Sequence, residues 1–225
     1  MKIDILTLFP EMFAGFIGTS IIKRAIDLGK VDIKVHNFRD YSLDKHGRVD
    51  DYPYGGGAGM VLMCEPIFRA IEAIRTDETF VIMLSPSGKV FKQSVAIDLS
   101  KKKHIILLCG HYEGFDERIK TIVDMELSIG DYVLTGGEVP AMVITDAITR
   151  LIPGVITSES LDSESFNNGL LDYPNYTRPE VFRGMRVPEV LLSGHHKNIE
   201  KYRQEEQIRL TRENRNDLTG GDNLG

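Results

Sequence analysis

Three glycine-bearing loops hold most of the residues in this sequence that are suited to binding a small molecule. They are Tyr54–Met60, Gly110–Gly114 and Gly130–Gly137, and each lies next to an apolar run. Glycine reaches positive φ and lets a ligand approach the peptide groups closely. Loops of this kind at strand ends in an α/β sheet hold ligands through backbone N–H and C=O groups. Three of them together favour a ligand pocket over three simple turns.

Few charged side chains accompany these loops. The candidates are one arginine that ends an apolar helical pattern and five carboxylates in the loops or in a later polar stretch: Arg150, Glu113, Asp131, Asp162, Glu164 and Asp172. A carboxylate beside a glycine pocket can act as a general base, bind a cation or accept hydrogen bonds from a ligand. A single carboxylate in a polar segment is more often a solvated side chain. Spacing alone therefore leaves these roles open.

Alternating strand and helix patterns surround the loops and predict an α/β fold with a mainly parallel sheet and helices on both faces. Apolar runs predict strands, and apolar residues at helical spacing predict helices. The predicted strands are 2–9, 31–38, 79–84 and 104–109, and the predicted helices are 11–28, 65–75, 94–101, 137–151 and 195–214.

A change in composition after Leu151 predicts a domain boundary. Residues 154–170 are rich in Ser, Asn, Asp and Glu, which is typical of a mobile linker or lid. We therefore divide the chain into an α/β domain at 1–153, a linker at 154–171 and a small helical C-terminal domain at 172–225.

Composition and charge argue against several classes of protein. The net charge of −6 disfavours non-specific nucleic-acid binding but allows a local basic patch. Cys64 and Cys109 lack the spacing of a zinc site or a disulfide framework. No run approaches the roughly 20 apolar residues that span a bilayer, and the first residues read as a strand and not as a signal peptide. We therefore expect no membrane contact and a cytoplasmic location.

Several catalytic fingerprints are missing from the sequence. It contains no GxGxxG after the first strand, no GxxxxGK(S/T) and no GxSxG. Their absence disfavours a dinucleotide enzyme, a P-loop NTPase and an α/β-hydrolase. From the residues alone, a sugar-nucleotide-binding or flavin-binding α/β protein is the general alternative.

Six longer motifs include the glycine loops and run in order along the chain: Asn37–Tyr41, Asp50–Met60, Cys109–Arg118, Ile129–Met142, Gly169–Pro179 and Leu192–His196. Together they resemble the bacterial tRNA (guanine-37-N1)-methyltransferases, the TrmD family of the trefoil-knot (SPOUT) superfamily. The resemblance implies a deep trefoil knot in the α/β domain and a helical C-terminal domain that binds tRNA at the anticodon stem-loop. It also implies a homodimer with the active site at the subunit interface.

The resemblance further implies S-adenosylmethionine as the methyl donor. The residues that it assigns to this cofactor are Leu84, Ser85, Pro86, Gly110, Tyr112, Glu113, Ile129, Gly130, Asp131, Tyr132, Val133, Leu134, Gly136, Gly137 and Pro140. The residues that it assigns to the tRNA substrate are Asp50, Tyr54, Gly55, Gly59, His195 and His196. The first glycine loop is thus expected on the substrate side. Family members are assisted by Mg²⁺, although no ligand spacing in this chain demands a bound metal.

The implied reaction places a methyl group on N1 of guanosine 37, in tRNAs with G at the preceding position, and supports maintenance of the reading frame. N1 of neutral guanine carries a proton that a general base must remove. The resemblance assigns Arg150 to the negative charge that develops on O6, and Asp172 to the surroundings of the reacting centre. The family base is an aspartate directly before Ser-Phe, whereas this chain has Glu164 there. Glu164 is the expected base, with Asp162 as its rival.

Two other functions are compatible with the same resemblance. One is a knotted methyltransferase that acts on another RNA site. The other is a catalytically impaired homologue that binds tRNA and S-adenosylmethionine, and the replacement of aspartate by Glu164 is the feature that favours it.

Overall fold

Five parallel strands form the central sheet of the molecule. A computed structural model describes residues 1–157, 164–166 and 169–219. The strands in chain order are β1 (Lys2–Thr7), β2 (Asp32–Asn37), β3 (Asp50–Asp51), β4 (Val61–Leu62), β5 (Thr79–Val90), β6 (His104–Leu108), β7 (Met125–Ser128), β8 (Val181–Phe182) and β9 (Met185–Arg186). The central sheet has the order β2-β1-β6-β5-β7, and each neighbouring pair is parallel. The predicted α/β fold with a mainly parallel sheet is confirmed.

Seven α-helices accompany the strands in the described part of the chain. They are α1 (Ala14–Ile17), α2 (Ser20–Asp27), α3 (Cys64–Ile74), α4 (Gln93–Ser100), α5 (Glu138–Thr149), α6 (Glu189–Leu192) and α7 (His196–Asn214). Short 3-10 helices lie at Pro10–Phe13, Phe38–Tyr41, Glu117–Ile122 and Asn216–Thr219. The helices predicted at 65–75, 94–101, 137–151 and 195–214 are confirmed, with ends that differ by one or two residues.

Successive residues of the sheet strands point to opposite faces, and both faces are buried. On one face Ile5 and Leu107 pack with apolar residues of α2, α4 and α5. On the other face Leu6 and Leu108 pack with apolar residues of α3. A parallel sheet that is covered on both sides explains why its strands read as continuous apolar runs.

Several elements differ from the sequence prediction, among them the helix before β2 and the last strand of the central sheet. The single helix predicted at 11–28 is wrong, because the chain turns out of the helical conformation between α1 and α2. Thr19 is extended with ψ of 162°, and Ser20 has φ of +54°. The Thr19 hydroxyl instead donates to the Gly15 carbonyl at 2.7 Å. Strand β7 was not predicted, since Met125–Ser128 is only four residues long and contains Glu126.

The chain divides into two compact units, Met1–Ile156 and Thr157–Gly225. In the second unit, β8 and β9 form an antiparallel hairpin that precedes α6 and α7. Thr211 on α7 is buried and accepts a hydrogen bond from the Leu171 amide at 2.9 Å. The three-part division at residues 153 and 171 stays a prediction. No helix in the described ranges is both long enough and apolar enough to span a membrane.

The buried carboxylate of Asp4 links three neighbouring strands of the sheet through hydrogen bonds. Asp4 on β1 is completely buried, and its two oxygens accept hydrogen bonds from His36 Nε2 on β2 and His104 Nε2 on β6, each at 2.6 Å. Lys2 Nζ lies 2.8 Å from the same carboxylate. Burial by itself raises the pKa of Asp4, but the hydrogen bonds from His36, Lys2 and His104 outweigh it and lower the pKa to about 2.

Replacement of Asp4 by Asn should remove a pH-dependent part of the stability. A carboxylate whose pKa is lowered on folding stabilises the native state above its unfolded pKa, near 4, and loses that effect as the pH falls through 2. The shift corresponds to about 2 kcal/mol. Urea unfolding of Asp4→Asn should therefore show a free energy lower by at least that amount at pH 7, and a weaker loss between pH 5 and pH 2.

The matched control for this change is Asp32→Asn. Asp32 lies on β2 with its side chain 60% exposed and 3.7 Å from Lys34, so its removal should alter the stability by less than about 0.5 kcal/mol. Equal effects of the two variants would contradict the role of Asp4.

Candidate active-site cleft

Residues 83–87 within β5 and the segments that follow β6 and β7 meet at the carboxyl edge of the sheet and enclose a cleft of about 390 Å³. Ligand pockets in proteins commonly measure about 300–1,000 Å³. The carboxyl ends of parallel strands are the usual position of a ligand in an open α/β sheet. The cleft therefore has the place and the size of a small-molecule site.

The structure brings together nearly all of the residues that the resemblance assigned to S-adenosylmethionine. Fourteen of the fifteen line this one cleft, and they come from all three segments. Asp131 is the exception, because it is exposed and does not line the cleft. Contact of these residues with the cofactor stays a prediction.

Two glycines let the cleft walls approach each other. A Cβ atom at Gly137 would lie 2.6 Å from Cys109 Cα and 2.8 Å from the Gly110 nitrogen. One at Gly110 would lie 2.8 Å from the Phe115 ring. The Gly137 amide also donates to the Gly110 carbonyl at 2.9 Å. Gly137 therefore allows two backbone segments to approach closely, and Gly110 leaves the space that the Phe115 ring occupies.

Carboxylates dominate the charged groups of the cleft wall. Glu113, Glu117 and Lys120 line it, and Lys120 Nζ lies 2.9 Å from Glu117 and 3.4 Å from Glu126. The positive charge of Lys120 is thus balanced, and Glu113 leaves the wall negative. Such a wall suits a ligand that carries positive charge.

The segment that follows β6 has an unusual backbone conformation at Tyr112 and a buried cysteine at Cys109. Tyr112 has φ of +59°, a left-handed conformation that bulky residues rarely adopt and that is found at ligand sites. Burial raises the pKa of the neighbouring Cys109 thiol well above its ordinary value, and the charge of Glu138 adds to the effect. Cys109 is therefore a protonated core residue.

The first glycine loop lies against the cleft instead of forming part of its wall. The Glu113 amide donates to the Met60 carbonyl at 3.0 Å, and a Cβ atom at Gly59 would meet the Glu113 side chain. Gly55 has φ of +88°, and Tyr54 is fully exposed at the tip. Asp50 belongs to the β3–β4 pair that precedes and follows this loop.

Arg150 lies at a different place from the cleft. It follows the last residue of α5 and lines a second cavity of about 220 Å³, together with Asp146, Phe16 and Ser20. Pro140, in the first turn of the same helix, lines the cleft. At a rise of about 1.5 Å per residue, ten residues of helix separate these two positions by roughly 15 Å.

The remaining predicted residues belong to the second unit. Glu164 is half-buried, and the hydroxyl of the next residue, Ser165, accepts from the Asp172 amide at 2.9 Å. Glu164 and Asp172 are thus neighbours within this unit. His195 and His196 are exposed at the start of α7. Asp162, the rival base, lies outside the described residues.

Sequence reasoning missed three residues that support the cleft. Glu138 is 2% exposed, and its carboxylate accepts from the Thr7 hydroxyl at 2.6 Å and contacts His111 Nε2 at 2.7 Å. His111 itself lines the cleft. The position of Glu138, an acid directly after two glycines and in the first turn of a helix, was the available signal. Thr7 carried no such signal, because a threonine in an apolar strand does not by itself indicate a hydrogen bond to a distant residue.

The chain matches the sequence model of a known family along almost its whole length. That model, described as tRNA (Guanine-1)-methyltransferase TrmD, matches residues 1–221. The chain belongs to this family. The resemblance predicted from the six motifs is confirmed, and with it the prediction of a methyltransferase.

Relatives named tRNA (guanine-N(1)-)-methyltransferase cover the same length. The one from Ureaplasma urealyticum is 61% identical over 219 residues, which cover 97% of this chain and 96% of the relative. The one from Dictyoglomus turgidum is 56% identical, with 97% and 89% covered. The one from Staphylococcus epidermidis is 57% identical, with 97% and 90% covered.

Substitution of Gly137 by Ala should damage the cleft. The new Cβ would lie 2.6 Å from Cys109 Cα, so one of the two backbone segments has to move, at a cost of roughly 1–3 kcal/mol. Because a displacement of about 1 Å at a binding site can cost about a hundredfold, calorimetric affinity for S-adenosylmethionine should fall at least tenfold.

Gly15→Ala provides the control for this substitution. Gly15 lies in α1, and a Cβ there meets no atom within 4 Å. Alanine should therefore be neutral or stabilise the helix by up to about 1 kcal/mol. Wild-type affinity of Gly137→Ala would show that the close contact is not needed.

Proposed function

We propose that this protein transfers the methyl group of S-adenosylmethionine to N1 of guanosine 37 in tRNAs that carry G at the preceding position. The observation that carries the proposal is one cleft lined by all three segments that the resemblance assigns to the cofactor. The proposed location of the reaction is the cytoplasm.

The cleft residues fit the cofactor in shape and charge. Gly110, Gly130 and Gly136 line the cleft, and glycine lets a neutral adenosine moiety approach the backbone closely. Glu113 gives the wall a negative charge beside a sulfonium. S-adenosylmethionine, when bound there, supplies an electrophilic methyl group. The residues of the three segments bind and orient it and exclude water.

Glu164 acts as the general base that takes the proton from guanine N1. The guanidinium of Arg150 stabilises the negative charge on O6 as that proton leaves. Asp172 helps to position Glu164, since the Ser165 hydroxyl next to Glu164 accepts from the Asp172 amide. Glutamate is one methylene longer than the family aspartate, and the linker that carries it accommodates the difference.

The active protein is a homodimer. Arg150 and the cleft residue Pro140 lie at opposite ends of α5, roughly 15 Å apart along the helix, which favours an arrangement in which each cleft receives its arginine from the other copy. A second copy, with its Arg150 near the first copy's cleft, provides the missing arginine.

The finer features of the fold follow from the family. The knot lies in the segments that follow β5, β6 and β7, and the second unit binds the anticodon stem-loop of tRNA, where His195 and His196 are exposed. Mg²⁺ assists the reaction, although no group of three His, Cys, Asp or Glu side chains in the described ranges is arranged to hold a metal ion.

The tRNA substrate tests the site of methylation. A transcript with G at position 37 after a G-ending anticodon should accept one labelled methyl group, located on guanine N1 by nuclease digestion and mass spectrometry. The same transcript with A at position 37 should accept none, because adenine presents an N1 acceptor and a 6-amino donor to groups that are arranged to accept the guanine N1 proton and to stabilise charge on O6. Label elsewhere in either transcript would favour a knotted methyltransferase for another RNA site.

Glu164→Gln tests the general base. The amide keeps the shape of the side chain but cannot take a proton, so single-turnover methyl transfer should fall by about 10²–10⁴-fold while calorimetric S-adenosylmethionine binding is unchanged. The control is Glu72→Gln, an exposed glutamate on α3, which should leave both quantities unchanged. Full activity of Glu164→Gln together with inactivity of Asp162→Asn would transfer the role to Asp162.

A further inference from the structure

A buried carboxylate lies directly behind the cleft wall. Glu138 begins α5, and each of its two side-chain oxygens has one hydrogen-bond partner. Thr7 Oγ1 at the end of β1 donates to Oε1 at 2.6 Å, and His111 Nε2 lies 2.7 Å from Oε2. A carboxylate oxygen can only accept, so His111 carries its proton on Nε2. The carboxylate thus fixes both the tautomer and the direction of the His111 ring.

The His111 ring is held from a second side by the segment that follows β1. The rings of Phe9 and His111 have centroids 4.7 Å apart and are tilted by 58°. The Phe9 amide donates to Thr7 Oγ1 at 2.9 Å, which orients the same hydroxyl that donates to Glu138. The end of β1 therefore touches both members of the Glu138–His111 pair.

The surrounding glycines show how closely the chain packs around this pair. A side chain at Gly136 would collide with the His111 imidazole and the Glu138 carboxylate. Burying a carboxylate with one imidazole partner costs desolvation energy, and apolar side chains of the same volume often stabilise a fold at least as well. Stability alone is therefore a weak reason for this arrangement.

We propose that Glu138 is a positioning residue for the cofactor cleft, acting through His111. His111 lines the cleft between Gly110 and Tyr112, and Glu138 follows Gly136 and Gly137. The hydrogen bond between the two side chains joins the wall after β6 to the wall that leads into α5. The inference rests on the proposed function, because it takes S-adenosylmethionine as the ligand whose binding this geometry prepares.

A double-mutant cycle measures whether the two residues act together. Glu138→Gln, His111→Ala and the double variant are compared with the wild type by calorimetric titration with S-adenosylmethionine in the absence of tRNA. Each single variant should weaken binding by about tenfold. The double variant should be no weaker than the weaker single variant, because either change removes the same interaction. Independent effects that multiply in the double variant would overturn the proposal.

Thr145→Val is the matched control for this cycle. Thr145 lies on α5, like Glu138, and is completely buried, and its hydroxyl has no hydrogen-bond partner within the described part of the chain. The substitution keeps the shape, so the affinity should not change. A loss of affinity as large as that of Glu138→Gln would mean that any disturbance of α5 weakens binding, and would overturn the specific role of Glu138.

Steady-state kinetics with tRNA separates positioning of the cofactor from chemistry. A positioning role predicts that His111→Ala raises KM for S-adenosylmethionine by about tenfold, while kcat at saturation changes less than threefold. An unchanged KM with a lowered melting temperature would reduce Glu138 and His111 to structural residues. If the wild-type protein binds S-adenosylmethionine but does not methylate tRNA, the proposed function is contradicted. The double-mutant cycle would still measure the coupling between Glu138 and His111 in cofactor binding.

Discussion

The cleft depends on a backbone contact that leaves no space for a side chain at Gly137. The Gly137 amide donates to the Gly110 carbonyl, and a Cβ atom would lie 2.6 Å from Cys109 Cα. This contact sets the first turn of α5 directly against the end of β6. Because the walls come from chain segments that follow separate strands, their spacing is determined by how closely the backbones approach. A ligand that is recognised through peptide groups requires that spacing before it binds.

Two buried carboxylates, each bound to imidazole, serve different parts of the first unit. Asp4 accepts from His36 and His104 and joins three neighbouring strands inside the sheet. Glu138 contacts His111 and Thr7 at the carboxyl edge. Removal of either acid leaves buried donors without a partner, which costs more than the pair contributes. The two carboxylates differ in position. Movement of the Asp4 side chain would disturb strand packing, whereas movement of the Glu138 side chain would displace a wall of the cleft.

The layers of the fold could be predicted from the sequence because buried strands and helices leave local patterns, whereas the segments that line the cleft were assigned through the family resemblance and the glycine loops. Buried parallel strands are continuous apolar runs, and close backbone approach requires glycine, as at Gly137. The break at Thr19 and Ser20 escaped prediction, because apolar residues at helical spacing continue on both sides of it. The contact between Thr7 and Glu138 joins positions 131 residues apart. Such contacts depend on the folded topology, so they cannot be identified from a single sequence.

Helix α5 separates Arg150 from the cleft within one chain. Its first turn closes the cleft with Pro140, whereas Arg150 follows its last residue beside a separate cavity. A packed helix is a rigid spacer, with buried residues such as Ile144 and Ile148 holding it against the sheet, so no loop movement brings the two ends together. If the arginine stabilises charge on the guanine while the methyl donor lies in the cleft, the two must come from different copies. Methylation should then require dimerisation even where each copy folds and binds the cofactor alone.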